Sequence, residues 1–231
     1  MRNKKLIVIT IAVLLIVSIF LIIRVLTVKH IVIIGNKNLA EKEIKDALGI
    51  KEGNSIIYPS AHKLYERLKK IPWVKEAIIR KDLNGTLTVY IKEATAVAIA
   101  VAGERAYLID NEAHVLEDFT EKLKHTQIFL PIIKEIDPFK DKSTLQSAVE
   151  LINFLTAKGY TRSNDEIVIT GSDPDNLTLH LNNLKIIIGN GDFELKFAKY
   201  LVVNDEIQKR GLNVHYIDLR FPDRVIVKPA E

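Results

Sequence analysis

The side chains most often used for catalysis or metal binding are scattered in this sequence. The chain has no cysteine, which excludes disulfide frameworks, thiolate metal sites and cysteine nucleophiles. Its histidines include no pair at the i, i+4 spacing that places two metal ligands on one helix face. We expect each to be a surface or partly buried residue rather than a ligand. The histidines are His30, His62, His114, His125, His180 and His215.

Motifs for nucleophiles and phosphate binding are also missing. No serine lies in a G-x-S-x-G elbow. Gly189-Asn190-Gly191 lacks the third glycine and the lysine of a phosphate loop, so it predicts a turn between a strand and a helix. The acidic stretch 173–176 is typical of a turn and has no second acidic cluster to form a catalytic carboxylate pair. The sequence therefore predicts a protein that is not an enzyme, with no cofactor, metal or small-molecule substrate.

The net charge of +4 is concentrated at the N-terminus. Residues 1–24 contain Arg2, Lys4, Lys5 and Arg24 and no acid, and the remaining chain has equal numbers of basic and acidic side chains. A groove for nucleic acid needs clustered lysine and arginine to release counterions from phosphates. The balanced remainder therefore predicts that nucleic acid is not a partner.

An uncharged apolar run near the N-terminus predicts a membrane anchor. Leu6 to Ile23 has no charged residue, and about 20 apolar residues in a helix cross a hydrocarbon core of about 30 Å. A cleaved signal peptide, the alternative, would have a shorter apolar region followed by a small-residue cleavage site. The excess of basic residues before the run predicts a cytoplasmic N-terminus and an extracytoplasmic bulk.

The segment after the anchor predicts the order β-α-α-β-β. Alternating apolar residues indicate the strands, and Asn84-Gly85 is a hairpin signal between the last two. Asn38, with Glu41 three residues later, predicts the cap of the first helix, and Ser60 predicts the cap of the second. The predicted elements are a strand Val28–Ile34, helices that end at Gly49 and before Pro72, and strands Val74–Arg80 and Thr86–Ile91.

The second half predicts a mainly antiparallel β domain with two flanking helices, which makes the fold class α+β. Leu145, Val149 and Ile152 share one face of the first helix, and the second helix extends over about 192–210. Asn182-Asn183 suits a tight turn with positive φ. The predicted strands are Ala94–Ala100, Arg105–Ile109, His114–Leu116, Glu166–Thr170, Leu177–Leu181, Leu184–Ile188, Val214–Leu219 and Arg224–Lys228.

Spaced motifs in the chain resemble those of a known family. Four motifs follow the anchor: Val28-x-x-Ile31-x-Ile33-x-Gly35-Asn36, Leu48-Gly49-Ile50, Leu68-x-x-Ile71-Pro72-Trp73-Val74 and Val89-x-Ile91-x-Glu93. Together they resemble a POTRA domain. Three further segments are Tyr107–Asp110, Leu130-Pro131 and Tyr216–Val225. A POTRA domain directly after one N-terminal anchor, followed by these segments, is similar to the FtsQ/DivIB cell-division family.

The resemblance implies a domain organisation and a function. The protein is expected to be a non-enzymatic scaffold of the divisome that spans the inner membrane once and acts at the division septum. It is expected to bind FtsB-like and FtsL-like partners and to link early division proteins to septal peptidoglycan synthesis. The implied segments are a cytoplasmic tail 1–5, a transmembrane helix 6–26, a POTRA domain 28–94 and an FtsQ-type β domain 95–231.

Two other classes of protein remain open at this stage. One is a POTRA-bearing translocation or outer-membrane assembly factor that handles unfolded strands. Such factors usually carry repeated POTRA units and a barrel of alternating strands, and neither is evident in this sequence. The other is a membrane-anchored cell-wall enzyme, which the missing nucleophile and metal ligands oppose.

The resemblance also implies that the partner binds the C-terminal strand region. A last strand normally leaves one edge unpaired, and such an edge is a template for strand addition. Arg220 is expected to hold a carboxylate of the partner, and Phe221 is expected to fill an apolar pocket on it. The substitution Ile226→Pro is expected to remove one backbone hydrogen-bond donor from the edge. The alternative is that Arg220 pairs with Asp218 or Asp223 and that Phe221 belongs to the core. The predicted partner-binding residues are Arg220, Phe221, Arg224, Val225, Ile226, Val227 and Lys228.

Overall fold

The computed structural model describes residues 9–18, 26–125, 129–162, 165–182 and 184–230. Residues 9–18 are helical with exposed side chains, and the rest of the predicted anchor and the whole predicted tail lie outside the described residues, apart from Leu26. Within those described ranges, no helix combines the length and the apolar character needed to cross a membrane. The chain divides into two compact units, Met1–Ala94 and Thr95–Glu231, which are described separately.

The first unit has the predicted β-α-α-β-β order. Its sheet has the strand order β1-β3-β2, with β1 parallel and β2 antiparallel to the central strand. Leu64 and Leu68 of one helix and Ile44 and Leu48 of the other are fully buried in its core. The elements are β1 (His30–Ile34), α1 (Glu41–Leu48), α2 (Ala61–Leu68), β2 (Val74–Lys81) and β3 (Thr86–Glu93).

Two turn and cap predictions in this unit are confirmed. Ser60 accepts a hydrogen bond from the backbone N–H of Lys63 at 3.3 Å and caps α2. The loop between β2 and β3 contains Gly85 in a positive-φ conformation, as the hairpin signal predicts. Gly35 also has a positive φ of 95°, and a Cβ placed on it would lie 2.1 Å from the carbonyl oxygen of Ile91.

The predicted cap of α1 is wrong. The cap position is Ala40, and no side chain bonds there. The backbone N–H and the side-chain amide of Asn38 instead donate to Oε2 of Glu93, at 2.9 and 2.8 Å. The N–H groups of Lys37 and Leu39 donate to Oε1 of the same carboxylate, at 2.8 and 3.0 Å. A charged acceptor at the end of β3 therefore binds three successive backbone donors in the loop that precedes α1, so the side chain of Asn38 is directed to β3 and not to the helix.

The second unit contains one nine-stranded sheet with the order β12-β11-β10-β9-β8-β7-β4-β5-β6. Five of the eight pairings between these described strands are antiparallel and three are parallel. The helix α3 and the strand β7, which links β4 to β8, were not predicted. The elements are β4 (Ala96–Ala102), β5 (Arg105–Asp110), β6 (Val115–Asp118), α3 (Thr120–Leu123), β7 (Ile132–Lys134), α4 (Lys142–Ala157), β8 (Ile167–Thr170), β9 (Thr178–Leu181), β10 (Leu184–Ile187), α5 (Phe193–Arg210), β11 (Val214–Asp218) and β12 (Ile226–Pro229).

The long helices α4 and α5 pack on one face of this sheet, here called the core face. Leu179, Ile186 and Ile217 lie opposite one another on successive strands and are all fully buried in a cluster that includes residues of both helices. Phe197 of α5 is 1% exposed at the centre of this cluster. Because side chains alternate along a strand, the residues between these positions point to the other side, here called the opposite face.

Candidate partner-binding edge

The strand β12 forms one edge of the nine-stranded sheet. It pairs antiparallel with β11, with Ile226 opposite Asp218 and Lys228 opposite Tyr216. Among the strands that the structure describes, none pairs with its other side. An unpaired strand offers a row of backbone donors and acceptors for another chain. The edge that the last strand was predicted to leave open is therefore present.

The hydrogen bonds at the end of β12 show which of its backbone groups face outward. The N–H of Ala230 donates to the carbonyl oxygen of Asn213, just before β11, at 2.9 Å. Since N–H directions alternate along a strand, the N–H groups of Ile226 and Lys228 point to β11. The N–H of Val227 points to the open side. The backbone nitrogen of Pro229 faces the same side, so the N–H that proline lacks is not one that would bond β11. Proline at Ile226 would therefore break pairing inside the protein, so Val227 is the position that tests the edge.

The predicted strand Arg224–Lys228 is observed as Ile226–Pro229, and side-chain burial alternates over residues 224–228 as predicted. Val225 and Val227 are partly buried and pack against the core cluster. Ile226 is 37% exposed, and Arg224 and Lys228 are exposed. A strand added to this edge would meet an apolar surface on the core face and a largely cationic one on the opposite face.

Arg220 is paired within the chain. Its Nε and Nη2 donate to Oδ1 and Oδ2 of Asp218 at 3.1 and 2.8 Å, and its Nη1 donates to Oδ1 of Asn176 at 2.8 Å. Burial alone would raise the pKa of Asp218, whose side chain is only 7% exposed, but the hydrogen bonds from Arg220 outweigh burial and lower it. The pairing with Asp218 that the sequence left open is thus the one observed, and the guanidinium fork is occupied.

Phe221 lies on the surface rather than in the buried core. It is half-buried, and the guanidinium of Arg224 stacks over its ring at 5.1 Å from the centroid. Lys199 of α5 donates to the carbonyl oxygen of Pro222 in the same connection. Together with the pair of Arg220 and Asp218, these contacts hold the β11–β12 connection against the rest of the second unit and so fix where β12 begins.

One cluster of possible metal ligands was missed by the search for histidine pairs. Asp110, Glu112 and His114 have ligand atoms within 4.8 Å of one another at the turn between β5 and β6. Oδ1 of Asp110 accepts the N–H groups of Glu112 and His114 at 2.9 and 2.7 Å, and Nδ1 of His114 lies 3.3 Å from Oδ2. These bonds close the turn, so the cluster is explained by hairpin geometry. An Asp-x-x-x-His spacing at a predicted turn is the signal that would have found it.

Two family models match the chain, one for each unit. A model described as POTRA domain, FtsQ-type, matches residues 26–94. A model described as cell division protein FtsQ/DivIB, C-terminal, matches residues 98–220. The fold therefore defines a POTRA-bearing protein whose second unit is an FtsQ-type β domain. Because the second match alone covers more than half of the chain, the chain belongs to the FtsQ/DivIB family of cell division proteins.

Individual relatives agree with the family match. The chain is 28% identical over 201 residues to the cell division protein FtsQ of Geotalea daltonii, covering 83% of this chain and 72% of the relative. It is 28% identical over 234 residues to the cell division protein DivIB of Clostridium botulinum, covering 95% and 89%. Similarity to proteins of both names extends through both units.

Proposed function

We propose that the protein is a non-enzymatic scaffold of the divisome that captures a partner strand along β12. The observation that carries this proposal is the open edge, where Val227 directs its backbone N–H outward while Val225 and Val227 leave an apolar surface beside it. Backbone pairing along such an edge provides affinity, and the flanking side chains provide selectivity. FtsB-like and FtsL-like proteins are the partners that family membership suggests, and the link to septal peptidoglycan synthesis rests on the same membership.

The proposal gives the seven predicted partner-binding residues two different roles. Arg224, Val225, Ile226, Val227 and Lys228 form the surface that the partner contacts. Arg220 and Phe221 hold the connection that places this surface, because the guanidinium of Arg220 is bonded to Asp218 and the ring of Phe221 supports Arg224. Arg220 is therefore a positioning residue in this proposal.

The same proposal includes a single N-terminal membrane anchor over residues 6–26, with the bulk of the chain outside the cytoplasm at the septum of the inner membrane. The uncharged run from Leu6 to Ile23 and the basic residues before it support this topology. Protease added to spheroplasts is expected to digest the chain beyond residue 30. Protection of that part of the chain would contradict the topology, and a mature N-terminus near residue 30 would contradict the anchor.

A proline at the outward-facing donor tests the edge. Full-length protein in detergent is titrated with a synthetic peptide that covers the extracytoplasmic part of the FtsB-like protein of the same organism. Val227→Pro removes one outward N–H, whereas Val227→Ala removes similar packing and keeps the donor. We expect Val227→Pro to bind about tenfold more weakly than Val227→Ala, since a lost hydrogen bond at an ordered edge is worth about 1 kcal/mol and the ring adds a clash.

Both variants must fold for this comparison to be valid, which thermal unfolding of each protein checks. Equal affinity of folded Val227→Pro and Val227→Ala would show that the partner does not pair with β12. Imaging a fluorescent fusion in dividing cells tests the cellular role separately, because a scaffold of the divisome must accumulate at the septum.

A further inference from the structure

The first unit receives the chain from the predicted anchor at one end, here called the entry end. The N–H of Val28 donates to the carbonyl oxygen of Asn54 at 2.7 Å, which pairs the entering chain with the loop between the two helices. On the other side, the N–H of Lys29 donates to the carbonyl oxygen of Gly85 at 2.7 Å, in the turn between β2 and β3. The entry end comprises the entering chain 26–29, the loop 53–59 and the turn 82–85.

The proposed anchor brings the entry end close to the membrane surface. The uncharged apolar run ends at Ile23, and Leu26 follows three residues later. An extended chain advances by about 3.6 Å per residue at most, so Leu26 lies within about 11 Å of the end of the run. Thr27 forms a β-bridge with Ser55, so the loop beside the entering chain is subject to the same limit. Chain connectivity therefore keeps this end of the unit beside the lipid headgroups.

Large apolar side chains are exposed at the entry end. Leu83, at the tip of the turn, is 80% exposed, and Tyr58 and Ile57 of the loop are 69% and 52% exposed. Leu83 and Tyr58 are the two most exposed large apolar side chains described in residues 26–94. Nζ of Lys81 donates to the carbonyl oxygen of Ile57 at 3.1 Å, which ties the loop to the end of β2. Leucine and tyrosine side chains that are unfavourable in water are stabilised at a lipid interface.

Cationic side chains accompany these apolar residues. Lys29 is exposed in the entering chain, and Nζ of Lys63 lies 5.7 Å from the centroid of the Tyr58 ring. Neither lysine has a carboxylate partner among the described residues. The single acid of the entry end, Asp82, is paired with Arg80 at 3.0 Å. Anionic headgroups attract such lysines, whose long stems let the ammonium group stay at headgroup level while apolar side chains lie deeper.

We propose that the entry end of the first unit docks on an anionic lipid surface. Leu83, Ile57 and Tyr58 enter the interface, and Lys29 and Lys63 bind lipid phosphates. The inference rests on the membrane anchor of the proposed function and adds an orientation to it, because β1 and β3 then start at the membrane and lead away from it. An anchor alone leaves the unit free to rotate, whereas docking through the entering chain, the loop and the turn removes that freedom.

The chain has no cysteine, so a single introduced thiol can be labelled with a fluorophore in the full-length protein. The labelled protein is reconstituted in vesicles of phosphatidylcholine with increasing fractions of phosphatidylglycerol, whose brominated acyl chains quench a fluorophore that reaches them. We expect a label on Leu83→Cys to be quenched more strongly as the phosphatidylglycerol fraction rises. Ile78→Cys is the matched control, because Ile78 is 68% exposed on the same hairpin but lies about 15 Å further from the turn, and its label should not be quenched.

The role of charge is tested with the label on Leu83→Cys. At the phosphatidylglycerol fraction that gives half-maximal quenching, we expect Lys29→Gln to lower the ratio of docked to undocked protein about fivefold, since one lysine near an anionic surface contributes about that factor. Lys37→Gln removes an exposed lysine beyond the other end of β1 and should leave the ratio unchanged. High salt should abolish the difference between the two variants. Equal effects of both variants at low salt would contradict a contact of Lys29 with the lipid.

The outcomes distinguish this inference from the proposed function. A label on Ile16→Cys, within the predicted anchor, should be quenched at every lipid composition, and its absence would overturn the anchor together with this inference. Quenching at position 16 without quenching at position 83 would overturn the docking and leave the anchor in place. Equal quenching at positions 83 and 78 would overturn the proposed orientation, because the exposed face of the sheet would then lie on the lipid. Thermal unfolding of each variant confirms that it is folded.

Discussion

The two units treat the edges of their sheets differently. In the first unit, Nζ of Lys69 donates to the backbone carbonyls of Val74 and Lys75, at 3.5 and 3.0 Å, at the start of the edge strand β2. At the other end of this strand, Nζ of Lys81 donates to the carbonyl of Ile57 at 3.1 Å, and burial lowers the pKa of this lysine. In the second unit, β12 pairs with β11, and no other strand that the structure describes pairs with its outer side.

Charged side chains on an edge strand, lysine above all, are a known means of preventing unwanted strand pairing. In the first unit, Lys69 and Lys81 make their backbone contacts at the two ends of β2. In the second unit, β12 presents an outward N–H at Val227, and the N–H that Pro229 lacks would not have bonded β11. Lysine side chains thus bind backbone carbonyls near β2 in the first unit, whereas no described strand or lysine contact covers the outer side of β12, which the proposed function assigns to a partner. Four substitutions test this contrast, in order of decreasing effect.

Gly35→Val is expected to unfold the first unit and spare the edge of the second. A Cβ at this position would lie 2.1 Å from the carbonyl oxygen of Ile91, and the positive φ adds strain, so we expect a loss of about 4 kcal/mol in stability. Gly53→Val is the matched control, because Gly53 has a positive φ but no atom of the described residues lies within 4 Å of its Cβ position. Unfolding in urea and peptide affinity are measured together. Loss of peptide binding on Gly35→Val would show that the first unit contributes to the site.

Arg220→Ala is expected to destabilise the second unit by about 2 kcal/mol. It leaves the carboxylate of Asp218, only 7% exposed, without its charged partner. It should also weaken peptide binding, because the β11–β12 connection loses its anchor. Arg210→Ala, which removes an exposed pair with Glu206, should change stability by less than about 0.5 kcal/mol. An equal effect of the two substitutions in thermal unfolding would contradict the positioning role of Arg220.

Glu93→Gln is expected to cost the first unit about 1.5 kcal/mol at neutral pH, because the neutral amide is a weaker acceptor for three backbone donors. Burial alone would raise the pKa of Glu93, but its hydrogen bonds to Leu39, Asn38 and Lys37 outweigh burial and lower it below 4.5.

The sign of the pH effect follows from that lowered pKa. The charged form favours folding, so the contribution is complete above the unfolded pKa and is lost as pH falls through the lower folded value. Urea unfolding at neutral pH and below pH 4 should therefore show the difference between wild type and Glu93→Gln shrinking in acid. The exposed Glu76→Gln, which loses a surface pair with Lys92, should show a difference near zero at both values.

Ala113→Gly is expected to stabilise the second unit by about 0.5–1 kcal/mol. Ala113 has a φ of 63°, a conformation that costs a residue with a Cβ but not glycine. Among the described residues, the non-glycine residues with positive φ are all in the second unit, whereas the first unit uses glycine at such positions. Thermal unfolding measures the gain, and Ala102→Gly in a strand should lower stability. A loss on Ala113→Gly would contradict the strain at this turn.

Local signals in the sequence determined most of the elements. Ser60 caps its helix, Gly85 and Asn182 make their turns at positive φ, and the alternation of residues 224–228 gives the two faces of the last strand. These features depend on a few consecutive residues, so a pattern in one sequence is enough to predict them.

The tertiary structure decided which groups meet across long stretches of chain. Glu93 accepts hydrogen bonds from Asn38, 55 residues away, and Arg220 donates to Asn176, 44 residues away. The direction of the Val227 N–H follows from the bond between Ala230 and Asn213, which a sequence pattern does not contain. Side-chain periodicity predicts faces, but the pairing of a strand determines which backbone groups are left open, and that pairing is set by packing of the whole sheet.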